Sequence, residues 1–318
     1  MTTHNRHPQN KRQMKAAIKR LINHITWLIL FFAKQPRLEL YMRKMNKINE
    51  LFFQKVLKDK INNIDTFLDT FRHNEVPKKI WIYWDQGEND APPLVKECIN
   101  SWREKNKNWD IIVLDSKSII KHQTSQLSHK DIPIEKKSDI LRTDLLKNKG
   151  GVWVDATTYC HRPLDEWLTF MLTNGFFVFS HGGPDRFIES WFIASTIKHP
   201  LITAWDDTLT EYLKKTKKNS MFYFWSFYVF QWRILKSRTL SNELSKCCCY
   251  PAPPTFKLMS HMDNRIPFTD FLEYLYAGLP LSKLNWRSTS TEKELNDLFK
   301  LVELHTPTAK SPSSAFPL

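Results

Sequence analysis

Between Lys137 and Thr158 the sequence reads KSDILRTDLLKNKGGVWVDATT, and this stretch restricts the architecture more than any other. Ile140, Leu141, Leu145 and Leu146 form the apolar side of a helix expected over Ile134–Lys149. Gly150-Gly151 ends it in the manner of a helix C-cap. Val152-Trp153-Val154 then reads as a short buried strand with Asp155 directly after it. The same alternation starts at Val76. Strands are expected over Lys79–Trp84 and Asp110–Leu114, a helix over Leu94–Lys105, and further strands over Phe176–Ser180 and Trp191–Ala194. Strand–helix alternation of this kind argues an α/β fold with a largely parallel sheet. The second half is more helical, with helices expected over Leu201–Leu213, Met221–Leu235, Phe268–Tyr276 and Thr291–Val302. Met221–Trp232 carries eight aromatics in twelve residues, the pattern of a helix buried in the body.

Composition removes several function classes. The chain has only seven glycines, and no G-x-G-x-x-G, G-x-x-x-x-G-K-[ST] or G-x-S-x-G can be assembled from them. Dinucleotide fingerprints, P-loops and the hydrolase nucleophile elbow are thereby poor readings, and no H-E-x-x-H occurs. Of the formal charge of +14, residues 1–60 hold fourteen Lys and Arg against three acids, so the remainder is nearly neutral. A nucleic-acid reader would carry its basic patch on the folded body, so no nucleic-acid partner is expected. Within the basic front end, Trp27–Ala33 is an apolar run of seven residues, far short of the roughly 18–20 that a spanning helix needs. An amphipathic arm over 1–75 is expected, either lying on an anionic membrane surface through residues 1–60 or docked on the body. The body extends over 76–305, and a proline- and serine-bearing tail over 306–318. Five cysteines, three of them adjacent at Cys247-Cys248-Cys249, suit neither bridging nor zinc, which points to a reducing, cytoplasmic setting.

Three residues in the 137–158 stretch can carry chemistry. Asp139 and Arg142 are three apart on a helix and share a face. Asp155 stands at the carboxyl end of a strand, where open α/β sheets bind ligands. A carboxylate there can hold Mg²⁺ or Mn²⁺ against a diphosphate, because these hard ions complete their shells with phosphate oxygens and water. The plainer alternatives are an exposed ion pair worth under about 1 kcal/mol, and an aspartate that starts a turn.

The stretch resembles the DXD-containing transferases of glycosyltransferase family 32, and most closely the capsular polysaccharide synthesis proteins. The matching pieces are Val76-Pro77-Lys78-Lys79-Ile80-Trp81-Ile82-Tyr83-Trp84, then Ser138-Asp139-Ile140-Leu141-Arg142, then Gly150-Gly151-Val152-Trp153-Val154-Asp155-Ala156-Thr157, with Tyr83–Pro92 and Ser190–Ser195 as further matches. The resemblance implies a glycosyltransferase type A (GT-A, Rossmann-like) fold and a nucleotide-sugar donor, with UDP as the nucleotide. It implies that Trp84, beside Tyr83, stacks on the base, that Asp139 and Arg142 hold the donor sugar or ribose, and that Asp155 binds the metal or the diphosphate. Gly150 and Gly151 would let backbone approach the ligand, and Trp191 would line the sugar side. Thr157 replaces the second acid of D-x-D, so the metal would rest on Asp155 with the Thr157 hydroxyl or water. Lys283 is a candidate phosphate contact. His161, His181 and His261 are open as bases, although a retaining mechanism in which the leaving phosphate takes the acceptor proton needs none. The implied role is transfer onto a glycan or lipid-linked glycan in surface polysaccharide synthesis, peripheral to the inner face of the cytoplasmic membrane. Two rivals stay open: transfer of hexose-1-phosphate, and a non-catalytic assembly subunit on the same fold.

Overall fold

A computed structural model describes residues 76–307 apart from 123, 125–133, 173, 183–186, 216–224, 248 and 288–289. The expected basic arm, and all but the first two residues of the tail, lie outside the described residues. Strands β1 (Lys79–Tyr83), β2 (Asp110–Leu114), β3 (Gly151–Asp155), β5 (Phe176–Ser180), β6 (Phe192–Ser195) and β7 (Cys249–Pro251) form one sheet in the order β2-β1-β3-β6-β5-β7. Between β3 and β5 in sequence, β4 (Thr158–Cys160) pairs antiparallel with β8 (Leu281–Lys283) in a separate ribbon. In the main sheet β1 runs parallel to β2 and β3, and β5 parallel to β7. Only β6 opposes its neighbours. The largely parallel α/β sheet expected from the alternation is therefore present.

The strand sequences account for this arrangement. KIWIY and FFVFS are continuous apolar runs rather than alternating ones, the composition of strands covered on both faces. Accordingly Ile80, Trp81 and Ile82 of β1 and Phe176–Ser180 of β5 are buried. The covering helices are α1 (Pro93–Lys105), α2 (Ile119–His122), α3 (Ile134–Lys149), α4 (Leu164–Met171), α5 (Pro200–Lys215) and α6 (Trp225–Lys236). Then come α7 (Arg238–Leu244), α8 (Lys257–Met262), α9 (Phe268–Tyr276) and α10 (Glu292–His305). Local chemistry sets their ends. Pro93 opens α1, where a missing N–H costs nothing. Thr291 and Glu294 form a reciprocal capping box at the start of α10. The described part of the aromatic stretch is α6, which buries Trp225, Phe227 and Phe230, the last stacked on Trp205 at 4.4 Å. Among the described residues no helix is long and apolar enough to cross a membrane.

Two parts of the core bear on the site. One lies about the main sheet and includes Ile82, Val154, Trp167, Phe179 and Trp191. The other packs Tyr159 of the β4–β8 ribbon against α9 and α10 through Phe271, Leu275, Phe299 and Val302. That second core holds β8, and with it Lys283, against β4.

Candidate functional site

Asp155 and Arg142 meet because helix and strand advance at different rates. From Arg142 to Gly151 the chain runs down α3, about 13 Å at 1.5 Å per residue. From Gly151 to Asp155 it returns along β3, again about 13 Å at 3.3 Å per residue. The two side chains finish at one level, at the carboxyl edge of the sheet. Arg142 Nη2 lies 3.4 Å from Asp155 Oδ1 and 3.3 Å from Asp139 Oδ1. The rest of its guanidinium is tied down. Nη1 donates to the Ser190 carbonyl at 2.7 Å and to the Ser190 hydroxyl, Nη2 to Ser138 Oγ at 3.0 Å, and Nε to the Ser138 carbonyl at 3.3 Å. The plane sits 5.3 Å above the Trp153 ring, whose indole N–H donates to Asp155 Oδ1 at 3.0 Å. With 6% of its side chain exposed, this is a buried, fully engaged arginine, unlike the exposed helix pair that spacing alone allows.

The second cation arrives on the ribbon. Thr158 pairs with Lys283 across β4–β8, and the Leu284 N–H donates to the Thr157 carbonyl at 2.8 Å. This register brings Lys283 Nζ onto the Thr157 hydroxyl and to 3.7 Å from Asp155 Oδ2. Both oxygens of Asp155 are thus flanked by fixed positive charge, yet 27% of its side chain remains exposed. Asp139, Asp155, Arg142 and Lys283 together form a neutral set with its open side at the sheet edge.

The aromatic wall lies beside it. Tyr83 is the register partner of Asp155, and Trp84 follows at the end of β1, its N–H bonded to the Leu114 carbonyl at 2.9 Å. The Trp84 ring meets Trp286 edge to face at 6.0 Å, and its buried indole N–H has no hydrogen-bond partner among the described residues. Tyr83 donates its hydroxyl to Asp85, and burial and that carboxylate push its pKa well above the usual phenol value. It stays protonated. Asp115, one residue past β2, accepts N–H bonds from Lys117 and Ser118, which hold its carboxyl below the usual range, the Ser118 bond most of all.

The remaining expected residues fall in different places. The backbone carbonyl of Trp191 accepts the Asp155 N–H at 2.8 Å, but its ring stacks on Phe179 at 4.7 Å inside the core, its indole N–H without a hydrogen-bond partner among the described residues. Gly150 and Gly151 are not brought to Asp155. They lie at the opposite end of β3, at φ of +63° and +98°. There the close approach is to the chain itself: a Cβ on Gly151 would stand 2.6 Å from the Lys79 carbonyl oxygen. Gly150 also ends α3, its N–H bonded to the Leu146 carbonyl at 3.0 Å. His161 is in the second core, with Nε2 2.8 Å from Ser282 Oγ, and burial pushes its pKa down to about 3. His261 is on α8 with Nδ1 3.2 Å from the Ile266 carbonyl oxygen. His181 follows β5 with its Nε2 buried, and burial lowers its pKa.

Sequence reasoning missed Ser138 and Ser190 as the clamp on Arg142, although both stand inside the matched pieces. It missed Trp286, whose only signal was a lone tryptophan in a polar stretch. Glu189 was also missed. It is buried at the entrance to β6, next to Ser190, with its N–H bonded to the Phe179 carbonyl at 2.8 Å.

A divalent ion bridging Asp155 and Thr157 does not fit these residues as placed. Such an ion needs oxygens at about 2.0–2.1 Å in a near-octahedral shell. The Lys283 ammonium already bonds to the Thr157 hydroxyl and faces Asp155. Among the described residues, no three His, Cys, Asp or Glu side chains are grouped to hold a metal.

Comparison with known proteins adds the following. The model of the family described as capsular polysaccharide synthesis protein matches residues 31–302. The chain is 26% identical over 103 residues to the glycosyltransferase afumC of Aspergillus fumigatus, covering 28% of this chain and 26% of that protein. It is 25% identical over 107 residues to the O-glycosyltransferase braB of Annulohypoxylon truncatum, covering 28% of this chain and 25% of that one. The match thus spans about a quarter of the length of each of these curated relatives. The solved PaToxG glycosyltransferase aligns at a TM-score of 0.35 and 14% identity, over 83% of this chain and 95% of its own.

Proposed function

The chain belongs to the capsular polysaccharide synthesis family, and from that premise we propose that it is a nucleotide-sugar-dependent glycosyltransferase of the type A fold. It transfers a sugar, with retention of configuration, onto a glycan or lipid-linked glycan of a cell-surface polysaccharide. The observation that carries this reading is Asp155, flanked by Arg142 and Lys283, at the carboxyl edge of the sheet beside Trp84 and Trp286. A nucleoside diphosphate-sugar needs an aromatic surface for its base, positive charge for its diphosphate and hydrogen-bonding carboxylates for its sugar. All three classes of group lie along this edge.

Arg142 orients Asp155 and adds fixed charge near the diphosphate, at no reorganisation cost because Ser138 and Ser190 already hold it. The bond from the sugar's anomeric carbon to the β-phosphate oxygen breaks, and its electron pair leaves with the diphosphate. The acceptor hydroxyl oxygen attacks the same face and forms the new bond, and its proton passes to the leaving phosphate. UDP is the nucleotide we favour, with Trp84 stacking on uracil. The fourteen basic residues among 1–60 would hold the enzyme against anionic lipid near its acceptor.

Nucleotide release tests the reading. Purified protein is incubated with UDP-, GDP- and CMP-sugars beside an Asp155→Ala variant. Slow UDP release from one donor, lost in the variant, is the expected result. Release of UMP would replace the reading with sugar-phosphate transfer. No nucleotide released by the wild type, and no thermal shift with any donor, would overturn it in favour of a non-catalytic subunit.

A further inference from the structure

We infer that Lys283 is the resident cation of the transfer site, and that its ammonium does the work for which a D-x-D site employs a divalent ion. The inference rests on the glycosyltransferase reading above. Four observations lead to it. First, Lys283 Nζ occupies the place a bridging ion would take, on the Thr157 hydroxyl and 3.7 Å from Asp155 Oδ2. The residue that departs from the two-acid motif is thus the one that receives the ammonium. A threonine hydroxyl brings no negative charge to offset a divalent ion, whereas it is a good acceptor for an N–H.

Second, the lysine is placed by backbone, not by its own flexible stem. It is register partner to Thr158, the Leu284 N–H is bonded to the Thr157 carbonyl, and the ribbon below is packed through Tyr159 on Phe299, stacked at 4.5 Å. Third, an ammonium has three N–H donors. Thr157 Oγ1 and the Leu284 carbonyl, at 3.4 Å, lie within hydrogen-bond reach, whereas Asp155 is beyond it. Among the described residues one N–H is left to meet an incoming oxygen, and 19% of the side chain is open for it. Fourth, Arg142 on the other oxygen of Asp155 brings the set to electrical neutrality without a metal.

In the transfer step Lys283 keeps its proton. The carbon–oxygen bond breaks toward the β-phosphate, and the ammonium donates a hydrogen bond to the phosphate oxygens as charge grows there. A preorganised cation of this kind stabilises the departing diphosphate more than the bound donor, so its removal lowers kcat.

The experiment measures nucleoside diphosphate release, from the donor that the panel identifies, in EDTA and in Mn²⁺. It compares wild type, Lys283→Met and Lys283→Arg. Wild type is expected to hold its rate within about twofold in EDTA. Lys283→Met should lose about 100-fold in kcat with little change in KM, matching the loss of one oxyanion donor, and Lys283→Arg should restore part of it. If Lys283→Met fails to fold, the EDTA comparison and Lys283→Arg still decide the matter. A wild type that stops in EDTA and recovers with Mn²⁺ would overturn the inference while leaving the glycosyltransferase reading intact. So would a folded Lys283→Met variant with wild-type kcat. Absence of release from every donor fails the parent reading, and this inference falls with it.

Discussion

Replacing Arg142 by methionine tests whether the sheet-edge cluster is a folding element as well as a site. The methionine keeps most of the apolar stem and removes the charge. Three hydrogen bonds, to the Ser190 carbonyl at 2.7 Å, Ser138 Oγ at 3.0 Å and the Ser138 carbonyl at 3.3 Å, disappear, as does the bond to the Ser190 hydroxyl. Asp139, only 10% exposed in its side chain, loses its ion pair at 3.3 Å. Removing one partner from a buried ion pair costs about 3–5 kcal/mol. For a folded body of this size each kcal/mol shifts Tm by about 2–4 °C, so the drop should be on the order of 10 °C. Asp139→Asn in the same background removes the other half of the pair, so the interaction between the two is lost only once. The double variant should therefore lose less than the sum of the singles, by about 2 kcal/mol. Urea unfolding of wild type, both singles and the double, followed by circular dichroism, measures the cycle. An Arg142→Met cost below about 1 kcal/mol, or strict additivity of the two changes, would refute the reasoning. Either would mean that Arg142 is solvated and paired only loosely, as on an ordinary helix surface.

Two further outcomes follow from the same geometry. Gly151→Ala should cost roughly 3 kcal/mol or more, because φ is +98° and the new Cβ would meet the Lys79 carbonyl oxygen at 2.6 Å; UDP affinity of the folded fraction should be unchanged by calorimetry, and weakened affinity at full stability would return this glycine to the ligand. His161, with its pKa pushed down from 6.5 to about 3 by burial, stays neutral in the fold while the unfolded chain protonates. Its contribution to stability is thus fully present above pH 6.5 and is lost as pH falls toward 3, at up to about 1.4 kcal/mol per pH unit. Between pH 7 and 5, His161→Leu should lose about 2 kcal/mol less than wild type in urea titrations, and parallel pH profiles would contradict the burial.

Much of the fold was legible in advance, because β1, β3 and β5 of the main sheet are covered on both faces and so read as nearly unbroken apolar runs. KIWIY, GVWVD and FFVFS need no partner to be recognised. The opposed direction of β6 and the short strands β4, β7 and β8 were not legible. Three residues such as Leu281–Lys283 carry no periodicity, and only pairing with Thr158–Cys160 makes them a strand. The site divides along the same line. Asp139, Arg142 and Asp155 are joined by one helix and one strand, so their spacing already returns them to a common level. Ser190 and Lys283 come from 48 and 126 residues away in their contacts with Arg142 and Thr157, and no local pattern encodes those meetings. Gly150 and Gly151 show the converse. Their need for unusual backbone was evident from the sequence, but only the folded chain shows the carbonyl of Lys79 lying against Gly151.

The sequence by itself therefore determined the α/β class, the family motif and the charged residues adjacent to it, since these depend on interactions within one helical turn or one strand. The tertiary structure alone decided which cation faces Asp155 from the far side. That choice depends on a ribbon register held by a second core, and hydrophobic packing between distant segments is a collective property with no signature in the neighbours of Lys283.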